Sequence, residues 1–191
     1  HAFFEMNYEN NLGMQAVNVD FNPPGDIVIE NISHRDVVES GDDMEIRYRL
    51  KNLGPNKLEG QGCNDVLYLS TDQTFSPDDI LLGNIDHNIV LPNYSYEEYS
   101  FTAHISGIPE GEYFIIIYGD ARNSFYEVDE NNNRGYSAYP FEVKVPELFF
   151  DTPVTFKLKD LVHKDFKLNI YGNINETVRI HVSSPDSEKG A

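Results

Sequence analysis

Almost every apolar run in this chain alternates with period two, and that pattern commits it to β-strands that bury one face. Met44, Ile46, Tyr48 and Leu50 are interleaved with Glu45, Arg47, Arg49 and Lys51. Successive side chains of a strand point to opposite faces, so such a run sets one face in a core and the other in water. Tyr99, Phe101, Ala103 and Ile105 repeat the pattern, as do Phe141, Val143 and Val145. The run from Tyr113 to Tyr118 is apolar on both faces and reads as a central strand. Shorter strands fit Asp26 to Ser33 and Asp65 to Ser70, and a longer last one spans Gly135 to Val145. Turn residues separate them at Asn22-Pro-Pro-Gly25, Ser40-Gly-Asp-Asp43, Asn52-Leu-Gly-Pro55, Leu91-Pro-Asn93 and Pro109-Glu-Gly111. No segment sustains helical periodicity with a cap. The expected fold is therefore all-β, an immunoglobulin-like antiparallel β-sandwich of about seven strands, with additional β-strands at both ends.

A second constraint is an internal repeat. Phe3, Glu5, Asn10, Asn11, Gly13 and Ala16 recur, without a gap, as Phe125, Glu127, Asn132, Asn133, Gly135 and Ala138, an offset of 122 residues. Phe4, Met6 and Asn7 return as Tyr126, Val128 and Asp129. That offset is one sandwich domain plus a connector, which is the signature of modules in series. Residues 1–21 then read as the closing hairpin of a preceding repeat and residues 22–146 as a whole sandwich. Residues 147–191 carry three more alternating runs, at Val154/Phe156/Leu158, Phe166/Leu168/Ile170 and Val178/Ile180/Val182. Three strands are too few for an independent core, so this segment reads as a β-rich partial domain or extension that must pack on something else.

Charge narrows the partners. Lys and Arg number 14 against 32 Asp and Glu, a formal net charge of −18. Such a chain repels nucleic acid and anionic lipid as a whole. It has no run of ~18 apolar residues that could span a membrane as a helix, and its first residues do not read as a signal peptide. Aromatics at 13% spread through regular patterns argue for a folded chain. Cys63 is the one cysteine, so no internal disulfide forms, and a buried, inert thiol is the plain expectation. Asn31-Ile-Ser, Asn93-Tyr-Ser and Asn175-Glu-Thr are acceptor patterns for N-glycosylation, which would suit a secreted chain.

A set of short motifs punctuates the chain from Asp26 to Val145. It begins with Asp26-Ile-Val-Ile29, Gly41-Asp42 before a strand and Lys51-Asn-Leu-Gly54 after it. It continues with Tyr68-Leu-Ser-Thr-Asp72, Asp79 with Leu82-Gly83, and Ile108-Pro109 with Gly111-Glu-Tyr113. Asp120 and Glu127-Val-Asp-Glu-Asn-Asn132 complete the set. In this order and spacing the motifs resemble the CARDB family, the cell-adhesion-related domain of bacterial and archaeal surface proteins. The resemblance implies an immunoglobulin-like sandwich, found in tandem, that serves adhesion or spacing in extracellular proteins and does not catalyse. Residues 147–191 match none of its motifs.

Two oxygen-rich loops are the sharpest chemical candidates. Asp72, Asp78 and Asp79 fall within eight residues, and Glu127, Asp129 and Glu130 lie in a second loop closed by Asn131, Asn132 and Asn133. Calcium takes six to eight hard oxygen ligands in flexible geometry, and both loops offer them. Neither has the glycine spacing of an EF-hand, and Asp, Asn and Ser also favour loops simply by bonding nearby backbone amides. The six histidines show no His-Glu-x-x-His spacing and no cysteine partner, so zinc is not expected. No nucleophile elbow or phosphate cradle is present, and paired carboxylates arise by number alone in so acidic a chain. Tyrosines 94, 96, 99, 113, 118, 126, 136 and 139 sit mostly in strand patterns, where cross-strand packing is their common use.

The reading that follows is a non-enzymatic extracellular adhesion or spacer module of a cell-surface or secreted protein, with calcium as the candidate stabilising ion. Its partners would be neighbouring repeats or identical subunits, or a surface protein, matrix protein or glycan, with neither nucleic acid nor membrane insertion. The alternatives are a subunit of an extracellular filament assembled by strand exchange, and an accessory domain of a secreted hydrolase.

Overall fold

The computed structural model describes residues 13–20, 22–149, 154 and 165–168. Its strands in chain order are β1 (Ile27–Ser33), β2 (Val37–Glu39), β3 (Asp42–Asn52), β4 (Leu58–Ser70), β5 (Ile80–Leu91), β6 (Tyr96–Ile105), β7 (Gly111–Tyr118), β8 (Arg134–Tyr136) and β9 (Phe141–Lys144). Two short strands follow, β10 (Glu147–Leu148) and β11 (Lys167–Leu168), which pair in parallel. One sheet runs β1-β3-β6. The other runs β2-β9-β7-β4-β5, with β8 added to β7. Every pairing within β1 to β9 is antiparallel except that of β2 with β9. The chain is all-β, and its two sheets form the sandwich that the alternation requires.

The alternating residues make the core. Met44, Ile46, Tyr48 and Leu50 of β3 are all 0% exposed, while Glu45 and Arg47 between them face water. Opposite them lie Leu67 and Leu69 of β4, Ile115 and Ile117 of β7, and Phe141 and Val143 of β9, all buried. Each such side chain removed from water contributes about 1.5–3 kcal/mol, so the two facing rows hold the sheets together. β7 is central in its sheet, flanked by β4 on one side and by β8 and β9 on the other, and it is apolar on both faces, with Ile115, Ile116 and Ile117 all buried.

The structure adds strands that alternation does not announce. β5 and the three-residue β2 lie outside the expected set, and β4 starts at Leu58 rather than Asp65. The single long strand expected from Gly135 to Val145 is broken between Tyr136 and Phe141 into β8 and β9, with Pro140 in the gap. Within β4 the inward parity changes: Leu58 is buried at the start, and Cys63, Asp65, Leu67 and Leu69 are buried after it. The register against β5 slips between Gly60 and Cys63, where Gly62 adopts φ +85°. This bulge turns Cys63 and Asp65 into the core.

The described part of the C-terminal segment packs on the end of the sandwich. Asp165 accepts the Ser40 hydroxyl at 2.6 Å and the Gly107 N–H at 2.7 Å. Lys167 donates its N–H to the Pro146 carbonyl at 2.9 Å and its ammonium to Glu110 at 2.8 Å. The alternating runs around Phe156 and Val178, and residues 3–12 of the N-terminal repeat copy, lie outside the described residues.

Candidate functional site

The segment from Asp120 to Asn133 fastens the end of the sandwich to its first strand. Asp120, itself buried, accepts the N–H groups of Ser124 at 3.0 Å and Phe125 at 2.9 Å, which turns the chain and sets Phe125 against the core. Glu127, 3% exposed, accepts the Ile27 N–H with one carboxylate oxygen and the Asn133 side-chain amide, at 2.8 Å, with the other. Asn132 donates to Asp26 at 3.1 Å, and Asp26 also accepts the Asp129 N–H at 3.1 Å. Gly135 lies so close to β1 that a Cβ there would sit 2.6 Å from the Ile29 carbonyl oxygen. Burial raises the Glu127 carboxyl to about 7, against the opposing pull of the Ile27 N–H and the Asn133 amide. Five of the six residues that recur exactly 122 positions apart thus have a structural task here; Ala138, the sixth, is exposed.

A second polar group lies inside the sandwich. Cys63 on β4 and His87 on β5 stand directly opposite in the register, and Asp65 follows two residues along on the same face. Their ligand atoms lie within 4.8 Å of one another, and this is the one such trio among the described residues. Asp65 is 0% exposed and is held from three sides. Its Oδ2 accepts the Tyr48 hydroxyl at 2.6 Å, from the opposite sheet. Its Oδ1 accepts the Asp120 N–H at 3.1 Å and lies 3.7 Å from the Cys63 sulfur. His87 Nε2 is 3.0 Å from Asp65 Oδ2, close enough for charge attraction, yet the ring is not aligned to donate. Both its nitrogens are buried without a hydrogen-bond partner, and the Tyr99 ring meets the imidazole edge-on with centroids 4.3 Å apart.

This geometry decides what the trio can do. Burial, then the Asp65 and Asp120 carboxylates, push the Cys63 thiol well above its ordinary range. A thiol held protonated is a poor nucleophile, so the group does not form an activated Cys–His pair. The Tyr48 and Tyr99 phenols are pushed up as well, burial first, and remain neutral donors. A sulfur, an imidazole nitrogen and a carboxylate oxygen are donors of the kind that transition metals take.

The carboxylates singled out in the sequence are placed differently. Asp72 is exposed and accepts the Thr74 N–H at 2.6 Å, and Asp79 accepts the Ser76 N–H at 2.9 Å. Asp78 is exposed. Asp129 accepts the Asn131 N–H at 2.9 Å, and Glu130 accepts the Glu127 N–H at 2.9 Å. Asp72, Asp79, Asp129 and Glu130 thus cap turns, Glu127 clamps Ile27 and Asn133 instead, and no three of the six carboxylates gather in one cluster among the described residues. No histidine has a cysteine partner along the chain, whereas the fold brings Cys63 against His87. Period-two spacing within Ile85, His87, Ile89 and Leu91 marks His87 as inward, and Cys63-x-Asp65 has the same period. Of the eight tyrosines assigned to packing, Tyr94, Tyr96, Tyr126, Tyr136 and Tyr139 are exposed instead. Asn31 and Asn93 of the glycosylation patterns are exposed, and Asn175 lies outside the described residues.

The sequence profile of the CARDB family matches residues 24–136, more than half of the 191. The chain belongs to the CARDB family. The CARDB match spans both the fastening segment and the buried trio. Among solved structures, the chain is similar to a CARDB domain from Pyrococcus furiosus in complex with di-metal ions, at 22% identity and a TM-score of 0.47, covering 65% of this chain and 97% of that one. It is also similar to a β-glucosidase from Listeria innocua in complex with glucose, at 11% identity and a TM-score of 0.40, covering 62% of this chain and 16% of the enzyme. An alkylpurine DNA glycosylase from Pseudomonas fluorescens is similar at 12% identity and a TM-score of 0.42, with 63% and 31% covered. No curated relative matches the chain.

Proposed function

We propose that this chain is a non-enzymatic spacer or adhesion module of an extracellular surface protein, one unit of a series of sandwiches. The family supports a surface-protein module, and the repeat supports the series. The carrying observation is that the recurring residues are those that fasten the sandwich to its own first strand. Glu127 accepts the Ile27 N–H, Asn132 donates to Asp26, and Gly135 makes room for Ile29. Their counterparts Glu5, Asn10 and Gly13 then need a first strand of their own, which is the first strand of another sandwich. Val19 supports this: it is 88% exposed, whereas Phe141, its counterpart in the second copy, is 1% exposed. An apolar residue that is buried in one copy of a repeat and in water in the other marks a face awaiting its sheet.

The absence of catalysis is supported by the protonated, buried Cys63 and by the carboxylates spent on turns. The test is mechanical. Pulling the intact parent protein in a force spectrometer should give a train of similar unfolding events, one per sandwich, whereas a single isolated event would refute the series. The same exposed segment favours a second reading, donation of a strand to a neighbouring subunit in a filament. Electron microscopy of the native material separates the two: ordered fibres support the filament, and single extended particles support the series.

A further inference from the structure

We propose that Cys63, Asp65 and His87 form a binding site for a zinc-type divalent transition metal, which staples β4 to β5 beside the β4 bulge. Three observations converge on it. The donors are a sulfur, an imidazole nitrogen and a carboxylate oxygen from two adjacent strands, within 4.8 Å of one another. Calcium takes oxygen ligands and has no use for the first two, whereas zinc and its neighbours prefer them. The His87 side chain is 10% exposed, yet neither ring nitrogen has a hydrogen-bond partner although Nε2 lies 3.0 Å from Asp65 Oδ2, a state that a satisfied polar network avoids and that leaves a ring nitrogen free to take a metal. The Asp65 carboxylate is already held by the Tyr48 hydroxyl and the Asp120 N–H, which is how metal-binding carboxylates are oriented from outside the coordination sphere.

Tetrahedral coordination with ~2.0–2.3 Å bonds sets ligand atoms ~3.3–3.8 Å apart, so side-chain adjustments of about 1 Å close the site. Binding replaces the Cys63 S–H bond with a sulfur–metal bond and releases the proton to solvent. Three protein donors leave one position for water, which reaches the ion on the His87 side, the only donor of the three with exposed side-chain surface. The metal then adds a link within one sheet, and the Tyr48–Asp65 hydrogen bond carries that link across to the other.

The test is a titration of the metal-stripped chain with Co2+ as a coloured probe and Zn2+ as competitor. One Co2+ per chain should give a sulfur-to-cobalt charge-transfer band together with tetrahedral ligand-field bands, and Zn2+ should abolish both. Cys63→Ser should remove the charge-transfer band, and His87→Gln should weaken Co2+ binding by at least about tenfold. Should either variant fail to fold, the wild-type thiol gives a second readout. Cys63 is the only thiol, so its rate of modification in mild denaturant should fall with Zn2+ and be unchanged by Ca2+. Absence of a thiolate band at stoichiometric Co2+, undiminished affinity in folded His87→Gln, or a thiol unprotected by Zn2+ would each overturn the proposal.

Discussion

Replacing Glu127 with glutamine separates the charge of the fastening segment from its shape. Burial raises the folded carboxyl from the ordinary 4.5 to about 7. A native pKa above the unfolded one means that the folded chain holds an extra proton between those two values. This contribution to stability is therefore complete below the unfolded pKa and is lost as pH rises through the folded one. At 1.36 kcal/mol per pKa unit, the loss between pH 5 and pH 8 is at most about 2.5 kcal/mol. Glutamine carries one acceptor and one donor group in place of the carboxyl, much as the protonated acid does, so Glu127→Gln should be close to wild type at pH 5. By pH 8 the variant should be the more stable by about 1–2.5 kcal/mol relative to its pH 5 difference, the lower figure allowing for water at the segment's edge. Urea unfolding followed by tyrosine fluorescence, which suits a chain with 12 Tyr and no Trp, reads this directly. A difference between the two proteins that stays constant from pH 5 to pH 8 would refute the assignment of Glu127 as a buried, charge-strained clamp.

Three further substitutions probe other parts of the account. Tyr48→Phe removes the 2.6 Å bond that reaches Asp65 from the opposite sheet, and thermal unfolding should show a loss of about 1–3 kcal/mol. Gly135→Ala forces a Cβ to 2.6 Å from the Ile29 carbonyl oxygen, so denaturant unfolding should report about 1–3 kcal/mol of destabilisation; an unchanged midpoint would mean that β8 and β1 are not in contact. Asp165→Ala removes the acceptor shared by Ser40 and Gly107, and limited proteolysis should then cut faster after Val145 while the sandwich's own midpoint moves by less than about 0.5 kcal/mol.

The strands that the sequence announced are those whose inward residues are all apolar, as in β3, with Met44, Ile46, Tyr48 and Leu50, and β7. β5 escaped because its inward row is interrupted by His87 and its outward row ends on the apolar Val90, so the period-two run of apolar residues is broken at both. The start of β4 escaped because the bulge at Gly62 reverses which parity faces the core. The trio was hidden for another reason: Cys63 and Asp65 share the inward parity of Leu67 and Leu69, but that parity does not say which residue of β5 stands opposite them. Cross-strand neighbours such as Cys63 and His87 are set by register, which no spacing along the chain encodes. The fastening segment was half legible. The repeat picked out its residues, and the folded chain shows what Glu127 and Asn132 do for the fold: they hold β1 and its approach.

Whether this sandwich works in series can be read from the sequence of the intact parent gene. That gene should encode at least one further whole CARDB sandwich, closed by the same Phe-x-Glu to Asn-Asn-x-Gly segment at a spacing near 122 residues. A parent gene with no other copy of that segment beyond the two in this chain, and no other sandwich for the first of them to close, would contradict it.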